Sequence, residues 1–170
     1  HIKFKSEFNI EVNPIAIKLD ELNYFQSNLF LIFTDFQRNA SDIEKSKLKN
    51  LNKIDDYLLS IREIKDEAYT YMSSNKKDFD KFGKLLNEQW KIKKLLSNKV
   101  SNKKLDDIYN FALSSGSIGG KLLGAGGGGF FIFYVKKNKH KEFREKMKKF
   151  LIVPFKFDFT GSQVIYYSHT

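Results

Sequence analysis

Between residues 119 and 130 the chain reads Gly-Gly-Lys-Leu-Leu-Gly-Ala-Gly-Gly-Gly-Gly-Phe, and seven of those twelve residues are glycine. Glycine loses more backbone freedom on folding than any other residue. A run this dense persists only where the backbone needs angles that a side chain forbids, or where it approaches a ligand or a neighbouring loop too closely for a Cβ. Directly after the glycines, Phe130-Phe131-Ile132-Phe133-Tyr134-Val135 is continuously apolar and predicts a buried strand. The glycines therefore predict a loop between two strands that faces a phosphate or sugar. The alternative is a tight strand connection without a ligand.

Known phosphate motifs narrow this further. Gly124, Gly126 and Gly129 match G-x-G-x-x-G, but that fingerprint must open a helix, and here the glycines open a strand. A P-loop is excluded because leucine follows Lys121 where serine or threonine is required, and no G-x-x-x-x-G-K-[ST] occurs elsewhere. The protein-kinase glycine loop also joins two strands, yet the H-R-D and D-F-G elements that complete that site are absent.

The order Lys121, Gly124, Ala125, Gly126, Gly127, Gly128, Gly129 within G-G-K-L-L-G-A-G-G-G-G-F resembles the third signature motif of the GHMP small-molecule kinases. Trp90-Lys91-Ile92-Lys93-Lys94, Val100-Ser101-Asn102, Ile108-Tyr109 and Phe155 to Phe159 look like the branch of that family that phosphorylates heptose 7-phosphate at the anomeric hydroxyl. The resemblance runs from about Val12 to the end and covers only the C-terminal half of such a kinase. It implies a sugar phosphate and ATP as substrates, Mg2+ as cofactor and an N-terminal kinase domain as partner, with ATP and Mg2+ held mainly by that other half. Lys121 and the loop from Gly124 to Gly129 would lie near the phosphates. No residue of this chain matches a catalytic one. The resemblance also draws attention to Thr34 and Arg38, since a threonine and an arginine recur after the corresponding strand near the sugar-phosphate site. The planar fork of Arg38 suits phosphate oxygens; equally, Arg38 can cap the next helix or pair with Asp42.

The chain has 170 residues, enough for one ordinary domain with a single core. It has no cysteine, so disulfides and thiolate metal sites are excluded, and its three histidines are not spaced for a metal. No apolar run is long enough to span a membrane, and no secretory leader is visible at the start, so the cytoplasm is expected. His1 is not an initiator methionine and reads as the inside of a longer protein or a tag remnant. The net charge of +10 favours anionic partners without choosing among them.

Along the chain, Asn9 to Ile17 alternates apolar and polar residues with a phase change at Pro14, which predicts an edge strand or bulge. Leu29 to Phe33 predicts a strand covered on both faces. From Ser41 to about Ser73, and from Asp78 to about Leu96, apolar residues recur at helical spacing, with Trp90 on the second stripe as core or as a sugar platform. Ser101 or Asn102 caps a third helix, which ends at Gly116. Asn138 is the expected cap of a lysine-rich helix. Val153, Phe155, Phe157 and Phe159 predict a strand, and Gln163 to Tyr167 another. The order predicts an α+β fold, a ferredoxin-like split β-α-β sheet with extra helices inserted in the first crossover. Residues 1–20 would be a strand from the end of the missing N-terminal domain, and 21–170 the C-terminal domain. The competing reading is a stand-alone module binding RNA or another polyanion through the lysine helix. Nucleic acid is disfavoured, because no aromatic is interleaved on that face for base stacking.

Overall fold

The computed structural model describes residues 1–36, 51–164 and 166–167, with the backbone alone for 51–53. The elements are β1 (Ile2–Ser6), β2 (Asn9–Val12), α1 (Leu19–Ser27), β3 (Leu29–Phe33), α2 (Leu51–Ser73), α3 (Phe79–Leu95), α4 (Lys103–Ser114), β4 (Ser117–Leu122), β5 (Phe130–Val135), α5 (His140–Met147) and β6 (Ile152–Val153). One antiparallel sheet has the order β4-β5-β3-β6, so the chain leaves β3, passes through α2, α3 and α4, and returns two positions away, leaving the place between for β5. The second crossover, through α5, places β6 on the far side of β3. This is the predicted ferredoxin-like arrangement with extra helices in the first crossover.

Strand alternation divides the core in two. Phe30 and Ile32 of β3, with Phe131, Phe133 and Val135 of β5, face a cluster closed by Trp90, Leu105, Ile108, Phe143 and Met147. Leu29 and Tyr134 point the other way, against Phe25, Met72, Phe79 and Leu86. Each fully buried aromatic or aliphatic side chain of this kind contributes roughly 1.5–3 kcal/mol. Trp90 is fully buried, so it serves as core and not as an exposed platform.

Helix α3 starts where the sequence predicts, with the Asp78 carboxylate accepting from the Lys81 amide at 3.0 Å. It then lies directly on β4. A Cβ on Gly119 would sit 2.2 Å from the Gly83 carbonyl oxygen, and one on Gly83 would sit 2.7 Å from the Tyr134 ring. Helix α4 begins with Asn102 Oδ1 accepting from the Leu105 amide. Its Tyr109 hydroxyl lies 2.7 Å from Asn87 Oδ1 and 3.1 Å from the Gly120 carbonyl, tying α4 to α3 and β4, and burial raises its pKa to about 12.

Four predicted features differ. The opening strand is half of a ribbon, because β1 pairs with β2 through Ile2↔Val12 and Phe4↔Ile10. It stops before Pro14, after which Ile15 and Ile17 turn inward against the second cluster. The strand expected over Val153 to Phe159 is only Ile152–Val153, because Pro154 brings no amide to continue the ladder with β3. Phe155 and Phe157 keep their alternation as an extended segment that packs on the second cluster. The described residues from Gln163 to Tyr167 form no strand. Asn138 lies inside a 3₁₀ turn, Lys137–Lys139, so Lys139 and not Asn138 precedes α5. Among the described residues, no helix is long and apolar enough to cross a membrane. Part of the predicted helix from Ser41, up to residue 50, falls outside the described residues.

Candidate functional site

The glycine loop connects β4 to β5 as predicted, and its backbone explains the composition. Gly124, Gly126, Gly127 and Gly129 have φ of 69°, 119°, 74° and 98°, all in the left-handed region. Gly128 is present for a different reason: a Cβ there would lie 2.3 Å from the Phe36 carbonyl oxygen. The loop is clamped from two sides. Gly127 donates its amide to the Val100 carbonyl at 2.8 Å, and Gly129 donates to the Phe36 carbonyl at 2.7 Å. The Gly129 carbonyl in turn accepts from both the Thr34 amide at 2.9 Å and the Thr34 hydroxyl at 2.8 Å.

Two of the loop amides are therefore committed within the chain, and the Thr34 hydroxyl braces the loop. The amides of Gly124, Ala125, Gly126 and Gly128 have no backbone acceptor among the described residues. These are the donors left to meet an anion. Lys121 stands three residues before the loop's first glycine turn, across from Ile132 on β5. Thr34 follows β3 on the other side of β5, so Lys121, Thr34 and the loop share one end of the sheet. Arg38 lies outside the described residues. Beside the Phe36 clamp, a cavity of about 670 Å3 is lined by Thr34, Phe36, Lys104, Asp107, Lys149 and Phe150 among others. That volume suits a small-molecule ligand.

Lys121 is partly buried, and burial pulls its pKa below the usual lysine range. Its ammonium donates to Gln89 Oε1 at 2.8 Å. One turn further along α3, the Lys93 ammonium donates to the carbonyls of Leu122 and Gly124. Gln89 is not singled out by the sequence, and Lys93 only as part of the Trp90 to Lys94 resemblance, without its contact to the loop. The signal they share is a spacing of four on one helix, which carries no meaning until α3 is known to lie on β4.

Among the described residues, the side chains gathered at the loop are lysines, an amide and the Thr34 hydroxyl, and no group of three or more acids and histidines that could hold a metal occurs. The lysine helix is also largely satisfied: Glu142 accepts from Lys139 and Lys146, each at 2.8 Å, and Glu145 pairs with Lys148. This internal pairing leaves less free charge for a polyanion.

A family model described as "GHMP kinases C terminal" matches residues 61–153, which include α3, α4, the glycine loop and β5. The chain belongs to the GHMP kinases, as their C-terminal domain. It is 32% identical over 149 residues to a D-glycero-alpha-D-manno-heptose 7-phosphate kinase of Campylobacter jejuni, covering 87% of this chain and 44% of that protein. Mevalonate kinase from Methanococcus jannaschii superposes with a TM-score of 0.63 at 29% identity, over 77% of this chain and 39% of that one. A D-glycero-D-manno-heptose 1-phosphate kinase from Bacteroides thetaiotaomicron shares the fold, with a TM-score of 0.52 at 20% identity over 92% of this chain and 41% of its own. The chain thus spans less than half the length of these GHMP kinases. Kinases of this family are ATP-dependent phosphotransferases.

Proposed function

We propose that the chain is the C-terminal half of a cytoplasmic ATP-dependent sugar kinase that phosphorylates a heptose 7-phosphate at its anomeric hydroxyl. The observation that carries this reading is the 32% identity to the Campylobacter jejuni heptose 7-phosphate kinase across 87% of the chain. The site agrees with it: a partly buried lysine, four loop amides without a backbone acceptor and left-handed glycines meet at one sheet end, a surface suited to phosphate oxygens.

In the transfer, the bond from the γ-phosphorus to the bridging oxygen of ATP breaks, and a bond from the anomeric oxygen to phosphorus forms. The hydroxyl proton leaves to a base that this chain does not supply. Phosphoryl transfer depends mostly on positioning and charge stabilisation. In this reading, Lys121 and the loop amides hold phosphate oxygens, while the preceding half brings the ATP loop, the magnesium ligands and the base.

Of residues 1–20, which the sequence assigns to that preceding half, the β1–β2 ribbon is the part that fits the assignment. Ile2, Phe4, Ile10 and Val12 share one face of the ribbon and are 53%, 76%, 53% and 64% exposed. An apolar face this open suits a docking surface for the rest of the kinase. Ile15 and Ile17 take no part in it, since they pack on the second core cluster.

The test is a kinase assay with ATP, Mg2+ and heptose 7-phosphate, on this chain alone and after adding the upstream half. Turnover is expected only in the mixture. Turnover by the chain alone would overturn the division of labour. A mixture that phosphorylates galactose or mevalonate but not heptose 7-phosphate would overturn the substrate.

A further inference from the structure

A buried ammonium is usually held by a carboxylate, which supplies a partner at the cost of cancelling its charge. Lys121 is held differently. Its partner is the neutral amide oxygen of Gln89 at 2.8 Å, and burial is the cause of its lowered pKa. One of its three protons is engaged, and the full positive charge is kept in a partly desolvated place, where electrostatic attraction is stronger than in water.

Helix α3 fixes that partner. The contact of Gly83 with Gly119 seats the helix on β4, and Lys93, four residues after Gln89, grips the carbonyls of Leu122 and Gly124. A single helix face therefore holds both Lys121 and the first turn of the glycine loop. We propose that Gln89 is a positioning residue: it aims the Lys121 ammonium at the loop without neutralising it, so that the charge remains available to a phosphate group. This rests on reading the loop as a phosphate site.

Glutamate at position 89 has nearly the same shape and would cancel the charge, whereas methionine keeps the volume and removes the acceptor. The experiment follows the Lys121 side-chain nitrogen by NMR during titration with inorganic pyrophosphate, in the unaltered chain and in Gln89→Glu, Gln89→Met and Lys121→Met. Unfolding midpoints are measured alongside. The unaltered chain should bind pyrophosphate at Lys121, and Lys121→Met should not. Gln89→Glu should raise the Lys121 pKa and weaken pyrophosphate binding by about tenfold or more, the effect of an opposite charge at contact distance. Gln89→Met should lower that pKa further and weaken binding less; it carries the test if the glutamate variant does not fold.

If both variants bind pyrophosphate as the unaltered chain does, the proposal is overturned while the phosphate reading stands. A change in midpoint with unchanged Lys121 pKa and affinity would make Gln89 merely structural and also overturn it. If pyrophosphate does not perturb Lys121 in the unaltered chain, the phosphate reading itself fails, and the proposal with it.

Discussion

Gly128→Ala separates the two reasons a glycine can be needed in this loop. The new Cβ would lie 2.3 Å from the Phe36 carbonyl oxygen and 2.7 Å from its carbonyl carbon, where ordinary contact begins at 3.4 Å. The loop would have to retreat by about 1 Å against backbone, which has no rotamer to yield. Overpacking of this sort costs about 1–3 kcal/mol. The retreat also strains the Gly129 amide's bond to the same carbonyl, worth a further ~1 kcal/mol. The sum is about 2–4 kcal/mol. Gly124→Ala provides the contrast: apart from its chain neighbours, no atom of the described residues lies within 4 Å of its Cβ, and the penalty is a φ of 69°. That strain costs roughly 1 kcal/mol. Urea unfolding of both variants, read by circular dichroism, gives the two differences directly. Equal midpoints, or a larger loss in Gly124→Ala, would refute the claim that contact with the β3 exit dictates the sequence of this loop.

Trp90 is the chain's one tryptophan and has no exposed surface, so its emission should be blue-shifted and move to the red only on unfolding. Trp90→Ala should cost about 3–5 kcal/mol, and a loss under 1 kcal/mol would contradict its place in the core. His140 has Nε2 at 2.9 Å from Asn28 Oδ1 and 3.0 Å from the Val135 carbonyl, and burial lowers its pKa below 6.5, with the nearby charges of Arg144 and Lys137 adding to the effect. The unfolded chain then binds the proton more readily than the folded one. This contribution to stability is complete above pH 6.5 and is lost as the pH falls towards the folded pKa. An NMR titration of the imidazole should show a midpoint below 6.5, and His140→Gln should flatten the stability profile between pH 7.5 and 5.5; a midpoint above 6.5 would refute this.

Sequence alone makes legible whatever a local pattern decides. Five apolar residues fix β3, Asp78 and Asn102 announce two helix starts, and the glycines declare their loop. The ribbon is only half legible, because Glu7 and Phe8, which turn it, are not a glycine or asparagine pair that signals a hairpin. Helix α1 is short and weakly patterned, and nothing in its sequence marks it out. The aromatic alternation after Val153 does report one inward face, but a strand also needs a partner and an amide, and Pro154 supplies no amide. At the site, the loop and Lys121 are visible as a motif. The roles of Gln89, Lys93 and Thr34 come from the seating of α3 on β4 and the crossing of the β3 exit, distances that no local pattern records.

The two borders of the sheet matter for how neighbouring copies meet in a concentrated solution. An open strand is a template for another chain, and long flat ones seed aggregates. Here one border, β4, is overlaid by α3, whose Lys93 takes up the Leu122 carbonyl. The other, β6, offers two residues before Pro154 closes it. Both borders are therefore poor templates for a further strand, and the same proline that cuts the final strand short also works against stacking of the domain edge to edge with itself.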